Sequence, residues 1–347
     1  MSDLLVEVAL IDKLEPHCNA ERLEIVHVGG WQCIIGKDTF KAGDKVVYVP
    51  PDTCLPKELT DKIGVTQHTQ TKAQGQRIRG ARLRGEPSFG LILELEDQTL
   101  ELGTDVSELI GAIKYEPPVR SHGGANQARA TNEHPMLARY TNIQNMRNYP
   151  RVFEPDEEVV VTEKIHGCNV RIATIGGLLH VGSHKTEKLL PETGDLSANW
   201  FWYPTTVPGV VDLVDEFGKE HNQVILFGET FGSVQALHYG TPNSLQFRAF
   251  DLYIDGKYCD YGDFQSACSK HEVPIMPILY SGPYNSIDCI RNFSMGGTCI
   301  NDTHVREGCV TKSLVERHHH KIGRTILKYI NDDYLLGKFY EEDTTDE

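Results

Sequence analysis

In VTEKIHGCNV, residues 161–170, a lysine closes an apolar run and the chain turns on a glycine just after it. The preceding EEVVV reads as a buried strand, which would pack the stem of Lys164 and leave its amine at the open strand end. Such an amine suits nucleophilic attack. It must be neutral at working pH, and partial burial or nearby cations lower its pKa from an ordinary value of about 10.4. Gly167 lets a ligand approach the backbone closely, and His166 and Asn169 can contact it from the same turn. Taken alone, Lys164 is more simply a surface lysine beside a loop.

The pattern recurs, and that changes the reading. LFGETFG puts Glu229 at the end of an apolar strand, between Gly228 and Gly232. REGCVTKS puts Glu307 beside Gly308, next to another apolar alternation. FRAFDLYIDGKY, with Phe247 and Phe250, reads as an aromatic-bearing strand. GRTILKYI, if a strand, shows Arg324, Ile326 and Lys328 on one face. Any one segment is weak, because Gly-Glu pairs are common at turns. The ordered set K-x-H-G-x-N, F-G-E, F-x-x-F-D, E-G-x-V-x-K and a basic strand is specific.

That set resembles the covalent nucleotidyltransferase motifs of ATP-dependent RNA ligases. KYEPP, YTNIQNMRNYP and VVVTEKIHGCN are similar to the ligases with an N-terminal OB domain, the Deinococcus and Naegleria type. The resemblance spans nearly the whole chain, and its specific part runs from residue 159 to 335. It implies a lysyl-AMP formed on Lys164, with ATP and Mg²⁺ or Mn²⁺ as cofactors. The substrate implied is RNA with 3′-OH and 5′-phosphate ends, at a nick in a duplex whose 3′-OH strand is RNA. By the same resemblance Glu163, His166 and Asn169 line the nucleotide, and Glu229 meets the ribose hydroxyls. Phe247 or Phe250 stacks on the adenine, and spacing does not choose between them. Glu307, with Glu229, serves the metal, while Lys312 and Lys328 face the phosphates. Two departures stand out. VGSHKTEK lacks the family's usual arginine, so His184 or Lys185 takes its place. The last motif, ordinarily K-x-K, reads I-L-K, with Ile326 at the first position and Arg324 or Lys321 to compensate.

The elements that must position these residues fall into two domains. Residues 1–111 carry short strand-like runs divided by Gly, Pro and Asn turns, the spacing of an OB-like β-barrel. Residues 112–150 are polar and unpatterned and read as a linker, ending in a short helix at YTNIQNMRNYP. Residues 151–347 mix strands with helices in VPGVVDLVDEFGKEH, YGDFQSACSKHE and SIDCIRNFS, an antiparallel α+β transferase domain with an acidic tail.

Composition narrows the partners. The net charge of −15 argues against binding nucleic acid by bulk electrostatics. A local basic groove remains open, and QRIRGARLRG places Arg77, Arg79, Arg82 and Arg84 where a basic strand could track an RNA backbone. The nine cysteines have no C-x-x-C spacing and read as reduced thiols rather than a zinc site. MSDLLVEVALIDKLEP has acids where a signal peptide is basic, and no apolar run reaches about 18 residues. An intracellular protein, cytoplasmic or nuclear, monomeric and off the membrane, is expected. His318–His320 read as a solvated loop, and Trp200 and Trp202 as packing residues. Two rival functions follow from the same residues. A capping guanylyltransferase would show K-x-D-G and a trailing barrel. A non-catalytic OB-type RNA-binding protein would have no chemical reason to keep Lys164, Glu229 and Glu307 together.

Overall fold

The structure is a computed structural model that describes residues 6–116, 128–192, 195–301 and 303–337. The chain divides into two units, one of Met1–Glu116 with Gln144–Arg151 and one of Pro117–Ile143 with Val152–Glu347. Among the described residues no helix is long and apolar enough to cross a membrane.

The first unit is built from short antiparallel strands. Lys45–Val49 runs between Glu7–Leu10 and Leu91–Glu94, paired along both edges, and its VVYV is buried throughout. Leu23–Val28 lies between Lys13–Pro16 and Trp31–Gly36. Val8, Val47, Val49, Leu55 and Ile78 form the core. The segment Gln144–Arg151, expected within a linker, belongs to this unit. Trp31 Nε1 donates to Asn148 Oδ1 at 2.8 Å, and the buried Arg147 guanidinium lies 4.9 Å from the rings of both Trp31 and Phe89. Such enclosure by aromatic faces suits a buried cation. The expected short helix there is a 3₁₀ turn, Met146–Asn148, capped by Asn145.

The second unit has two antiparallel sheets. In the larger, Cys168–Ile175 lies between Leu178–Ser183 and Gln223–Gly232, followed by Leu245–Ile254. Gly176 and Gly177 join its central hairpin, with φ of 57° and 79°. Both values lie in the left-handed region, which a two-residue turn of the right hand for a twisted sheet requires. In the smaller sheet Glu158–Lys164 lies between Gly308–Ser313 and Ile278–Pro283, with Ile326–Ile330 beyond Gly308–Ser313. The helices expected from sequence form at Val210–Gly218, Tyr261–Lys270 and Ile287–Ser294. Val210, Leu213 and Val214 form the buried stripe of the first, against Val170, Ile172 and Leu226.

The two sheets share side chains. Val160 of the smaller joins the core of the larger sheet and its helices. Ile326 and Val310 join Ala173, Ile225 and Phe227. Leu137 and Tyr140 enter that second cluster, so residues 128–143, expected as linker, pack into this unit. Two anchors in a polar stretch make no period, which is why the pattern was silent.

A buried charge sits in the same cluster. Asp251 is fully buried and accepts from Lys312 Nζ at 2.6 Å, Arg324 Nη1 at 2.8 Å and Tyr140 Oη at 2.6 Å. Burial raises its pKa, but Arg324 and Lys312 outweigh that and hold the carboxyl below its ordinary value. The stabilisation is therefore complete above about pH 4 and lost as pH falls through the depressed pKa. Asp251→Ala strands two buried cations and is expected to cost on the order of 3–5 kcal/mol at pH 7, read as a large fall in melting temperature. A variant that melts with the wild type would show that the three groups do not depend on one another.

Candidate active site

Lys164 ends the strand Glu158–Lys164 and pairs across the ladder with Gly308. The next residue back, Glu307, turns its carboxylate to the amine, and Lys164 Nζ donates to Glu307 Oε1 at 2.5 Å. The lysine side chain is 27% exposed and the glutamate 7%, so the amine is the more accessible of the two. Gly308 is a glycine for steric reasons. A Cβ there would lie 2.2 Å from Tyr329 O on the neighbouring strand.

The turn after Lys164 is held from several sides. His166 N donates to Tyr239 Oη at 2.6 Å, and Tyr334 Oη lies 3.2 Å from His166 Nδ1. Burial pushes the His166 pKa down to about 4, so the ring is neutral near pH 7. Gly167 lies against the strand Gln223–Gly232, where a Cβ would meet Thr230 O at 2.2 Å and Glu229 Cγ at 3.0 Å. Asn169 then pairs with Glu229 in the ladder, so the two side chains share a face. The turn thus brings Lys164, His166, Asn169, Glu229 and Glu307 into one neighbourhood.

Two buried oxygens there, Glu307 Oε2 and Asn169 Oδ1, have no hydrogen-bond partner among the described residues. Buried acceptors are ordinarily satisfied, so these fit a ligand that brings donors or a cation. Among the described residues no group of three or more His, Cys, Asp or Glu is placed to hold a metal. One or two carboxylates with phosphate oxygens would suit Mg²⁺ or Mn²⁺, which take oxygen ligands and keep waters.

Other expected site residues are placed differently. Glu163 alternates to the opposite face of the strand from Lys164, and its Oε2 accepts from Cys299 N at 2.8 Å. Lys312 shares a face with Lys164 but is spent on Asp251. Arg324 corrects its expected role as a phosphate contact. Glu316 takes Nε and Nη2, Asp251 takes Nη1, and the ring of Tyr258 lies 3.6 Å away, so the guanidinium is enclosed by protein. Ile326, where the family's first lysine would stand, faces Lys312 across the ladder and is core. Lys321 is exposed. Lys328 is half-buried on the face of Lys164, related to it through Val310 and Thr162.

Phe247 is buried on the face opposite Glu229, its ring filling the space that Gly228 leaves open. Phe250 is half-buried, at the point where the ladder slips from Gly228–Ala249 to Phe227–Asp251. His184 and Lys185 follow the strand Leu178–Ser183, at the end where Val170 pairs with Ser183. His184 is half-buried, and burial pushes its pKa down to about 4; Lys185 is exposed.

The four arginines of the first unit do not form one basic strand. Gly75–Arg77 and Gly80–Leu83 belong to different sheets, and Arg79 lies between them. Arg77 is 4% exposed, donates to Asp52 Oδ1 at 2.9 and 2.6 Å, and packs over Tyr115, so it is closed to a polymer. Arg82 and Arg84 are exposed, and Arg79 is half-buried.

Three residues at the site escaped the motif reading. Tyr239 and Tyr334 bond the His166 turn, and Asn331 N donates to Glu307 O at 2.9 Å. Asn331-Asp-Asp is a helix-start signature that marks the last of these, but nothing in the sequence links it to Glu307.

Known proteins resemble the chain in family and fold. The RNA ligase family model matches residues 157–330, and an OB-fold domain model matches residues 5–95. No curated protein matches the chain. Among solved structures, a mutant of Naegleria gruberi RNA ligase with AMP and Mn superposes with a TM-score of 0.79 at 23% identity, covering 96% of this chain and 98% of that one. A second mutant of that enzyme, with ATP and Mn, gives a TM-score of 0.78 at 25% identity, covering 95% and 98%. The complex of the enzyme with PPi gives 0.77 at 24% identity, covering 96% and 98%. The fold is therefore that of an N-terminal OB-fold domain with an α+β ligase domain, and the chain belongs to the RNA ligase family.

Proposed function

We propose that the protein seals RNA ends with ATP through a covalent intermediate on Lys164. The observation that carries this is the partly exposed Lys164 amine at 2.5 Å from a carboxylate whose second oxygen has no hydrogen-bond partner among the described residues. Lys164 Nζ attacks the α-phosphorus of ATP; an N–P bond forms, the amine loses a proton and pyrophosphate leaves with the broken P–O bond. A 5′-phosphate oxygen of RNA then takes the AMP as the N–P bond breaks and lysine regains its proton. A 3′-OH attacks that activated phosphate, closing the phosphodiester as AMP departs. Phosphoryl transfer of this kind depends on positioning and on cancellation of charge.

Glu307 alone favours the charged amine. A divalent cation, Mg²⁺ or Mn²⁺, held by Glu307 and phosphate oxygens would supply positive charge that favours the neutral amine and offsets charge on the phosphates. Asn169, Glu229 and His166 line the nucleotide in this reading, and Phe250, packed edge-on to Tyr140 but only half-buried, is the ring proposed to meet the adenine, since Phe247 is buried. Lys328 serves the phosphates. The polymer is a nicked duplex with RNA at the 3′-OH strand, and the protein acts as a monomer.

Incubation with α-³²P-ATP and Mg²⁺ or Mn²⁺, followed by a denaturing gel, tests the reading. The wild type is expected to keep the label, while Lys164→Ala loses it altogether. A label taken from GTP instead would move the reading to capping, and no label under any condition would remove it. Gly167→Ala drives a methyl into Thr230 O and Glu229, and a displacement of this order is expected to slow labelling about a hundredfold. Labelling at the wild-type rate would show that the turn and Glu229 need not touch.

A further inference from the structure

The last strand, Ile326–Ile330, runs into a short helix, Asp332–Leu336, whose residues grip the centre of the site at two points. Asn331 starts it and is fully buried. Its Oδ1 accepts from Asp333 N at 2.8 Å, its Nδ2 donates to Arg306 O at 3.0 Å, and its backbone N donates to Glu307 O at 2.9 Å. Asp332 receives Arg291 Nε and Nη2 at 3.0 and 2.6 Å, which fixes the helix to its neighbour Ile287–Ser294. Tyr334 is 1% exposed, and its hydroxyl meets His166 Nδ1 at 3.2 Å. That same ring nitrogen lies 3.8 Å from Glu307 Oε2. One anchored element thus holds the backbone of Glu307 and the imidazole two residues after Lys164.

We propose that Tyr334 is a positioning residue for nucleotidyl transfer to Lys164, its hydroxyl fixing His166 and, through His166, the turn that carries the nucleophile. This rests on the covalent reading given above. A hydroxyl buried beside a ring nitrogen has a strong preference for that bond, because an unmet donor in the interior is costly. Its loss removes one hold on the imidazole, and the amine then samples positions from which it cannot attack. The ground-state grip on ATP, which Asn169 and Glu229 share with His166, is expected to change less.

The full-length wild type and Tyr334→Phe are compared in two measurements. The first is the rate of label transfer from α-³²P-ATP across a range of ATP concentrations. The second is the nitrogen spectrum of ¹⁵N-histidine-labelled protein, with the His166 resonances identified by their absence in His166→Ala. Tyr334→Phe keeps the ring and its packing and removes only the hydroxyl. The expected result is a maximal rate lower by about tenfold, the worth of one hydrogen bond, with apparent KM for ATP within about twofold. The His166 nitrogen resonances are expected to move in the same variant. A wild-type rate overturns the proposal, and so does a slower rate with unmoved His166 resonances. Absence of label on the wild type itself would instead remove the covalent reading while leaving the Tyr334–His166 bond to be seen in the spectrum.

Discussion

The site depends on one antiparallel register, that of Glu158–Lys164 against Gly308–Ser313. Side chains alternate along a strand, so a slip of one residue would bring Glu163 to the face of the candidate site and send Lys164 to the far side. Several contacts pin the register. Val159, Val160 and Val161 are fully buried, and a slip would draw Glu158 or Thr162 into a place that one of them fills. On the other side of Gly308–Ser313, Gly308 admits Ile326–Ile330 at a distance no side chain would allow, which fixes the strand that Lys164 pairs with. Glu163, facing away, is tied to the backbone of Cys299. The 2.5 Å contact of Lys164 with Glu307 is the outcome of these constraints more than a cause of them.

The same sheet carries two lysine–carboxylate pairs with opposite fates. Lys312 is only 6% exposed, and its carboxylate partner Asp251 is shared with Arg324 and Tyr140, so every oxygen is used. Lys164 is 27% exposed, and its partner keeps one oxygen without a hydrogen bond among the described residues. Satisfied and sealed, the first pair ties the sheets together. The second, half-satisfied and open, has capacity for a ligand. What separates structure from chemistry here is how many partners each oxygen has, and not which residue types are present.

Much of this was legible in the sequence. Lys164, Glu229 and Glu307 could be found because glycines flank them at the ends of apolar runs, and glycine is forced wherever backbone must approach backbone. The helices showed their period, and the OB-type strands their turns. Arg324 and Arg77 misled because a sequence shows a cation but not its counter-charge. Glu316 and Asp251 enclose the first, Asp52 the second, and only folding brings them together. The stretch around Leu137 and Tyr140 was silent for another reason, since two isolated anchors carry no periodicity. Tyr334 gave no sign of its contact with His166, which joins positions far apart in the chain.

The path of the chain between its units has a consequence for how such a protein can be inherited. Residues 128–143 belong with the ligase unit, yet Gln144–Arg151 returns to the OB-type unit before the chain crosses again at Val152. Each unit is therefore assembled from two separate stretches. No single crossover in the gene could exchange one unit for a foreign counterpart without stranding either Tyr140, a partner of Asp251, or Arg147, held between Trp31 and Phe89. Such interleaving favours inheritance of the pair as one block and makes separate reassortment of either half costly.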